Sequence, residues 1–450
     1  GISSFDEAKK FFRPSLSDLH DPFLMKDMNK AITRLEQAVN SNEKIMVYGD
    51  YDVDGTTAVS LVYSFLRQLS AAKGKEQLID YYIPDRYAEG YGISFQGIDF
   101  AQENGFTLII ALDCGIKAND KVDYANERNI DFIICDHHRP GGTLPNAVAI
   151  LDPKRADCTY PFDELCGCGI GFKLAQAIAQ KRNVPVTALE NLLDLVAVAI
   201  AADIVPLTGE NRVLATFGMK RINEDPRPGF KAMLQMAKLK RSISISDIVF
   251  IFAPRINAAG RIEHGKLAVE LLTSLNEETA KAAAEVVNKN NTDRRDLDKA
   301  ITSHAMEMMA TSVVMQSRKS TVVFDAGWHK GVVGIVASRL IEKYYRPTIV
   351  LTESNGKITG SARSVKDFDV YEAIEACSDL LIQFGGHKYA AGLTMDPDKV
   401  EAFVEKFESE VCARITEEQM IPEIEIDMEI PFEMIDWKFF NVLKQFAPFG

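Results

Sequence analysis

The chain has 450 residues, 46% of them apolar, and a formal net charge of −13. That length exceeds one typical domain and predicts two or three, each with a sizeable core. The acidic balance excludes overall attraction to nucleic acid or acidic membranes, and no apolar run of about 18 residues or signal-peptide pattern marks a spanning or exported protein.

Residues 1–42 read as amphipathic helix interrupted at Pro14 and Pro22. From Lys44 the period changes: apolar runs predict strands near 44–49, 78–83, 107–113, 131–136 and 147–151, with helices near 56–70, 94–104 and 118–129. This alternation predicts an α/β fold with a doubly wound parallel sheet. Residues 167–240 read as mostly helical, with Pro185, Pro206, Pro226 and Pro228 at turns. Asn276 to about Thr311 lacks Gly and Pro and predicts one long helix. A second alternation follows: a strand from Thr321, a helix 331–345, a strand 347–352, a helix 370–382, a strand 389–395 and a helix 397–412. The expected architecture is a first domain with its N-terminal helical segment over 1–275, a connecting helix over 276–312, a smaller α/β domain over 313–420 and an extension over 421–450. Gly1-Ile2 opens without Met and Pro448-Phe449-Gly450 stops as if in mid-loop, so a fragment trimmed at both ends is expected. Seven scattered Cys, mostly in apolar contexts, fit reduced thiols in the cytoplasm. Cys166-Gly167-Cys168 is the one close pair; a zinc half-site or redox pair there lacks a matching partner pair.

Acids and histidines stand where strands are expected to end. Asp50, Asp52 and Asp54 follow Ile45-Met46-Val47, Asp113 closes Leu108–Leu112, Asp136-His137-His138 closes Phe132–Cys135, and Asp203 follows the buried-looking Val196–Ala202. Ligands of an open parallel sheet bind at the carboxyl ends of its strands. Carboxylates gathered there repel unless cations neutralise them, so the pattern reads as a centre for two divalent ions. Asp-x-Asp-Gly alone is also an ordinary turn; the company of Asp113, Asp136 and Asp203 points to metal. His137 and His138 are consecutive and cannot both point one way from an extended segment. One is expected on metal, the other toward substrate or a supporting carboxylate, and imidazole with carboxylates suits Mn²⁺ better than Ca²⁺.

Further along, Ser361-Ala362-Arg363-Ser364, Gly385-Gly386-His387-Lys388 and Trp328–Gly334 offer small residues and cations suited to an anion, although Gly-Gly loops and surface Arg are common. Arg255-Ile256-Asn257-Ala258-Ala259-Gly260-Arg261 reads equally as phosphate contact or as helix packing. No Gly-x-Ser-x-Gly elbow or Walker-type loop is present, which leaves hydrolysis by a metal-activated water as the simplest chemistry.

The ordered set Val47–Gly55, Leu112–Gly115, Asp136-His137-His138 and Ala202–Pro206 resembles the four motifs of the DHH phosphoesterases. The segments at Arg255–Arg261, Ser361–Ser364 and Gly385–His387 resemble the RecJ branch and its second, DHH-associated domain. This resemblance, from about Phe5 to Gly450, implies a 5′→3′ exonuclease on single-stranded DNA in repair and recombination, using Mn²⁺ or Mg²⁺. By matched position, Asp54, Asp113, His137 and Asp203 would hold one cation, and Asp52 with a bridging Asp113 the other. His138 would lie by the scissile phosphate with Asp136 supporting the histidines. Arg363 and His387 would contact substrate phosphate, joined as substrate-binding candidates by Arg255, Asn257, Arg261, Ser361 and Gly386. Arg294 and Arg295 read first as a solvated helix face and second as a lining of the strand's path. The implied partners are single-stranded DNA and a single-strand-binding protein or helicase; a monomer in the cytoplasm, with no membrane, is expected. Many DHH enzymes carry His where this chain has Tyr48, a phenol of pKa near 10 and a poor ligand. The first site is therefore expected to bind more weakly or to draw on Asp50. RecJ-like sequences continue past Pro-Phe-Gly into an OB-fold, so reduced strand affinity is expected of this piece. The alternatives are a DHH phosphodiesterase of short oligonucleotides or cyclic dinucleotides, and an inactive DHH scaffold.

Overall fold

A computed structural model describes residues 2–448 apart from Lys73, Ile204 and Lys240; Gly1, Phe449 and Gly450, at the chain ends, lie outside the described residues. The chain forms two compact units, residues 1–291 with 432–450 and residues 292–431.

In the first unit, strands β1 (Lys44–Gly49), β2 (Ile79–Tyr82), β3 (Phe106–Leu112), β4 (Asp131–Cys135) and β5 (Ala149–Leu151) form a parallel sheet in the order β2-β1-β3-β4-β5. Both faces are covered, so the central strands read as unbroken apolar runs rather than as alternations. Ile45, Val47, Leu108, Ile110 and Ile133 pack beneath the helices Met28–Asn40, Val53–Ala71, Gly167–Arg182 and Leu193–Asp203. Met46, Tyr48, Ile109, Ala111 and Ile134 pack against the helices Phe95–Glu103 and Asn119–Asn126. The sheet is therefore doubly wound, and its connections diverge between β1 and β3, which opens a crevice at their carboxyl ends.

One expectation about the acids is corrected here. Asp203 does not end a strand: it is the last residue of the α-helix Leu193–Asp203, whose residues from Leu193 to Ala201 are all buried. A helix that is apolar all round has no amphipathic period, so the run alone does not distinguish it from a buried strand.

The predicted long helix is continuous from Glu277 to Thr311, with the Asn276 side chain accepting the Thr279 N–H at 2.9 Å, and the boundary between the two units falls within it. Arg294 is half-buried and Arg295 exposed on this helix.

The second unit holds β6 (Thr321–Phe324), β7 (Thr348–Ser354), β8 (Lys357–Arg363), β9 (Gln383–His387) and β10 (Ala390–Met395), in the order β6-β7-β8-β10-β9. Only β6 and β7 run parallel. Two segments for which no regular element is predicted are strands: Ser361–Arg363 ends β8, and Gly385–His387 ends β9. Asn355-Gly356, both at positive φ (55° and 73°), closes the β7–β8 hairpin where Ser354 faces Lys357. The helix expected over 370–382 stops at Glu375, and a short 3₁₀ turn, Ser378–Leu380, follows it.

Candidate metal centre

Each candidate donor sits where a regular element starts or stops. Asp50 follows β1. Asp52 is the N-cap of the helix Val53–Ala71, its Oδ1 accepting the Gly55 N–H at 3.0 Å. Gly55 is needed because a Cβ there would lie 2.5 Å from the Asp50 carbonyl oxygen and 2.7 Å from its nitrogen. Asp54, in the first turn, is held by a distant element: its two oxygens accept the N–H groups of Gly167 (2.6 Å) and Cys168 (2.7 Å), which open the helix Gly167–Arg182. A helix N-terminus favours an anion in this way. Asp113 follows β3 in the left-handed region (φ 59°), its N–H donating to the Cys135 carbonyl at 2.9 Å. A non-glycine residue held there is strained, and such strain collects at functional sites.

Three carboxylates converge on one imidazole nitrogen. His137 Nε2 lies 3.2 Å from Asp113 Oδ1, 3.6 Å from Asp203 Oδ2 and 3.8 Å from Asp54 Oδ2. Two overlapping donor groups result, Asp54–His137–Asp203 and Asp113–His137–His138, with His137 common to both. Asp136 stands beneath the histidines as a bracket. Its Oδ1 accepts the His137 N–H (2.8 Å), the His138 N–H (3.1 Å) and a bond from His138 Nδ1 (2.8 Å), and its Oδ2 accepts the Ile116 N–H (2.9 Å). His138 is exposed, and its Nε2 is 3.4 Å from the Tyr91 hydroxyl.

The electrostatics fit cations. Burial, then Asp203 and Asp52, push the Asp54 carboxyl well above the usual range; burial, then Asp54, Asp52, Asp136 and Asp203, do the same to Asp113. Burial and Asp52 raise Asp50 strongly, and burial with Asp52 brings Asp203 to about 7. Burial, followed by the neighbouring His138, lowers His137 to about 4, so its imidazole is neutral and able to ligate. Asp136 differs: burial raises it, but the bonds from His138 and from backbone N–H groups outweigh that and hold it low. The reverse balance raises His138, where burial is outweighed by Asp136. Among the described residues, both Asp50 oxygens, Asp113 Oδ1 and His137 Nδ1 are buried without a hydrogen-bond partner. Buried polar atoms left so are costly unless something else satisfies them, and a hard divalent cation suits this oxygen-rich set.

Asp50 and Asp52 belong to neither donor group, although Asp52 acts electrostatically on Asp50, Asp54, Asp113 and Asp203. Tyr48 is a core phenol: its hydroxyl donates to the Gly92 carbonyl (2.9 Å) and accepts the Ser94 N–H (3.1 Å). In the Arg255–Arg261 segment, which lies within the helix Ala253–Ile262, Ala258, Ala259 and Gly260 are buried. A Cβ on Gly260 would lie 3.0 Å from the Tyr51 carbonyl, so this face packs on the loop between Asp50 and Asp52. Arg255 donates to Asn288 Oδ1 (3.1 Å) and to the Ile251 carbonyl (2.7 Å); Asn257 and Arg261 are half-buried.

In the second unit, Arg363 pairs across the sheet with Ala390, and Ala390 with His387, so Arg363 and His387 share one face about 10 Å apart. Arg363 Nη1 donates to Ser361 Oγ at 3.0 Å. Gly334, from the Trp328–Gly334 motif, passes so close that a Cβ would lie 2.9 Å from Ser361 Oγ and 3.1 Å from Arg363 Nη2. Gly386 lies in the next row, opposite Ala391, which in turn pairs with Ala362.

The structure adds roles that the sequence did not reveal, one of them for the close cysteine pair. Cys166-Gly167-Cys168 is the opening of a helix that clasps Asp54: Cys166 Sγ caps it by accepting the Gly169 N–H, and Cys166, Gly167 and Cys168 are all buried. The glycine-rich run Gly167–Gly171 was the available signal, since such runs permit close approach. Asp152, after β5, is a further strand-end acid with one buried oxygen lacking a partner among the described residues, and burial raises it to about 7.

A profile of the DHH family, N-terminal domain, matches residues 44–200, and one of the DHHA1 domain matches residues 309–412. The chain is 40% identical, over all its length, to the single-stranded-DNA-specific exonuclease RecJ of Bacillus subtilis (strain 168), of which it spans 56%. It is 35% identical to RecJ of Escherichia coli (strain K12), over 84% of this chain and 68% of that one. The chain belongs to the RecJ family. A crystal structure of RecJ in complex with Mn²⁺ from Thermus thermophilus matches with a TM-score of 0.83 at 28% identity, covering 98% of this chain and 62% of that one. This chain thus spans little more than half of the Bacillus subtilis RecJ.

For a RecJ-family centre of this geometry, Gly167 is a sensitive point. A Cβ there would lie 2.6 Å from Asp113 Cβ and 2.7 Å from Asp113 Oδ1. Gly167→Ala is expected to push Asp113 away and loosen Asp54, weakening Mn²⁺ binding by about 10–100-fold, as loss of a supporting contact at a metal site does. Isothermal titration with Mn²⁺ checks this; unchanged affinity would contradict it.

Proposed function

We propose that this chain is the catalytic part of a divalent-cation-dependent exonuclease that hydrolyses single-stranded DNA in the 5′→3′ direction, in DNA repair and recombination. The observation that carries the reading is the convergence of Asp54, Asp113 and Asp203 on His137 Nε2 at 3.2–3.8 Å. The names of the RecJ relatives and the Mn²⁺ in the Thermus thermophilus structure support the substrate and the ion. The proposed ligands are Asp54, Asp113, His137 and Asp203 for one cation, and Asp52 with Asp113 for the second, with Asp50 as a buried reserve of negative charge. Two Mn²⁺ or Mg²⁺ ions, when bound, supply neutralisation of the scissile phosphate and a more acidic water.

The chain's own residues do the rest. The helix N-terminus at Gly167 fixes Asp54 before substrate arrives, and Asp136, itself held by the Ile116 N–H, orients the histidines through their two backbone N–H groups and the His138 imidazole. His138, held by Asp136 and exposed, is the group offered to the scissile phosphate, so Asp136 is a positioning residue. Arg363 and Ser361, with His387 on the same sheet face, bind strand phosphate; Arg255, Asn257, Arg261 and Gly386 are placed in the same reading as substrate contacts or their supports. The proposed division is a DHH domain over 1–275, a connecting helix over 276–312, a substrate-binding domain over 313–420 and an extension over 421–450. Among the described residues no helix is long and apolar enough to cross a membrane. A cytoplasmic monomer working beside a single-strand-binding protein or helicase completes the proposal.

The test is digestion of 5′-labelled single strands, duplexes and dinucleotides with Mn²⁺. Release of mononucleotides from the labelled single strand is expected; cleavage of dinucleotides alone would overturn the reading. Arg363→Ala should weaken binding of long strands about tenfold, the scale of one charge-assisted phosphate contact, with little change in the rate on saturating substrate. Unchanged affinity by fluorescence anisotropy would remove Arg363 from the phosphate site.

A further inference from the structure

The end of the second sheet that carries Arg363 and His387 holds further cations. Lys366 lies three residues past β8, in the loop leading to the helix Val370–Glu375, and Lys388 lies in the β9–β10 turn. The two loops are tied together: the Ser364 N–H donates to the Tyr389 carbonyl and the Val370 N–H to the Lys388 carbonyl, both at 3.0 Å. Lys388 also lies 3.6 Å from Asp367.

Lys366 is already occupied. Its Nζ lies 2.9 Å from Glu423 Oε2 and 2.9 Å from Glu425 Oε1. These acids belong to the ribbon Glu423-Ile424-Glu425-Ile426-Asp427-Met428-Glu429-Ile430, where acid and apolar residues alternate. In extended chain that alternation separates them onto opposite sides. The apolar side is uncovered: Ile424, Ile426 and Met428 are 89%, 79% and 66% exposed. Among the described residues the ribbon joins no sheet, and residues 422–431 make no backbone–backbone hydrogen bond. Charge pairing, not burial, is what fastens it at Lys366. Exposed pairs of this kind are weak and screened by salt, so a polyanion can displace them.

We propose that the ribbon Glu423–Glu429 is an intramolecular competitor for strand phosphate at Lys366, and that Lys366 is a further substrate-binding residue of this surface. A phosphodiester strand laid along Arg363 and His387 takes the Lys366 ammonium from Glu423 and Glu425, and the ribbon leaves. The inference rests on the reading that this sheet end binds strand phosphate. Like-for-like exchange of one anion for another holds back affinity for weakly engaged strands.

The test measures binding of a 5′-phosphorylated oligothymidylate by anisotropy, at low salt and in EDTA to prevent hydrolysis. Glu423→Gln with Glu425→Gln should tighten binding about fivefold, and Lys366→Ala should weaken it by a similar factor. In the Lys366→Ala background, the glutamine pair should have no further effect, the coupling expected of direct partners. Three results would overturn the proposal: no tightening, equal tightening from Glu417→Gln with Glu418→Gln, or tightening that survives Lys366→Ala. Each of these with Arg363→Ala still weakening binding refutes the ribbon alone. Full affinity in both Arg363→Ala and Lys366→Ala refutes the phosphate surface itself.

Discussion

Asp113→Asn is expected to lower Mn²⁺-dependent hydrolysis by about 10³-fold or more, some 4 kcal/mol of transition-state stabilisation. The same change should make the cation-free protein more stable, by about 1–2 kcal/mol. Both effects have one origin. Asp113 is buried beside Asp54, Asp52, Asp136 and Asp203, all of which disfavour its charge. It is also held at φ 59°, a conformation that Asn adopts as readily as Asp. The amide keeps the shape and removes one of the charges that cations must neutralise. Rates over a Mn²⁺ titration and thermal unfolding in EDTA measure the two halves. Activity within tenfold of the original would sink the ligand assignment, and a destabilised apo-protein would sink the repulsion argument.

The second large effect lies away from the chemistry. Lys173 is fully buried in the helix Gly167–Arg182, the helix whose first turn holds Asp54. Its Nζ donates to Glu210 Oε1 at 2.9 Å and to the His20 carbonyl at 2.7 Å. Glu210 also accepts the Tyr160 hydroxyl (2.7 Å) and the His20 N–H (3.0 Å). Burial lowers the Lys173 pKa, and Glu210 restores part of it. Glu210→Ala leaves a buried ammonium without its counter-charge, a change that costs about 3–5 kcal/mol. The first unit's melting transition should fall by roughly 10 °C, with Glu210→Gln intermediate because its one amide oxygen can still accept from Lys173 and the His20 N–H. A fall under about 2 °C for Glu210→Ala would mean that water reaches the ammonium.

The strand-end acids were legible because parallel strands buried on both faces are written as short apolar runs, and a run that stops at Asp marks its own carboxyl end. Asp50, Asp113 and Asp136 were found in this way. Asp203 was found by position but given the wrong element, since Leu193–Ala201 is buried on every side. β8 was missed despite an available cue: Asn355-Gly356 between two runs is a strong short-range hairpin signal. β9 had no such cue, because Gln383-Phe384-Gly385-Gly386-His387 has little intrinsic preference for a strand and is paired only through β10.

By itself the sequence determined which donors exist and that they sit at the ends of elements, because periodicity and turn chemistry act over a few residues. It also determined the family, since the order and spacing of the motifs are properties of the chain alone. Only the tertiary structure decided that Asp54 is gripped by Gly167 and Cys168, that His137 is the donor shared by both groups, and that Tyr48 is a core residue. Those pairings join residues up to 114 positions apart, such as Asp54 and Cys168. No local pattern encodes them; they follow from which helix covers which face of the sheet.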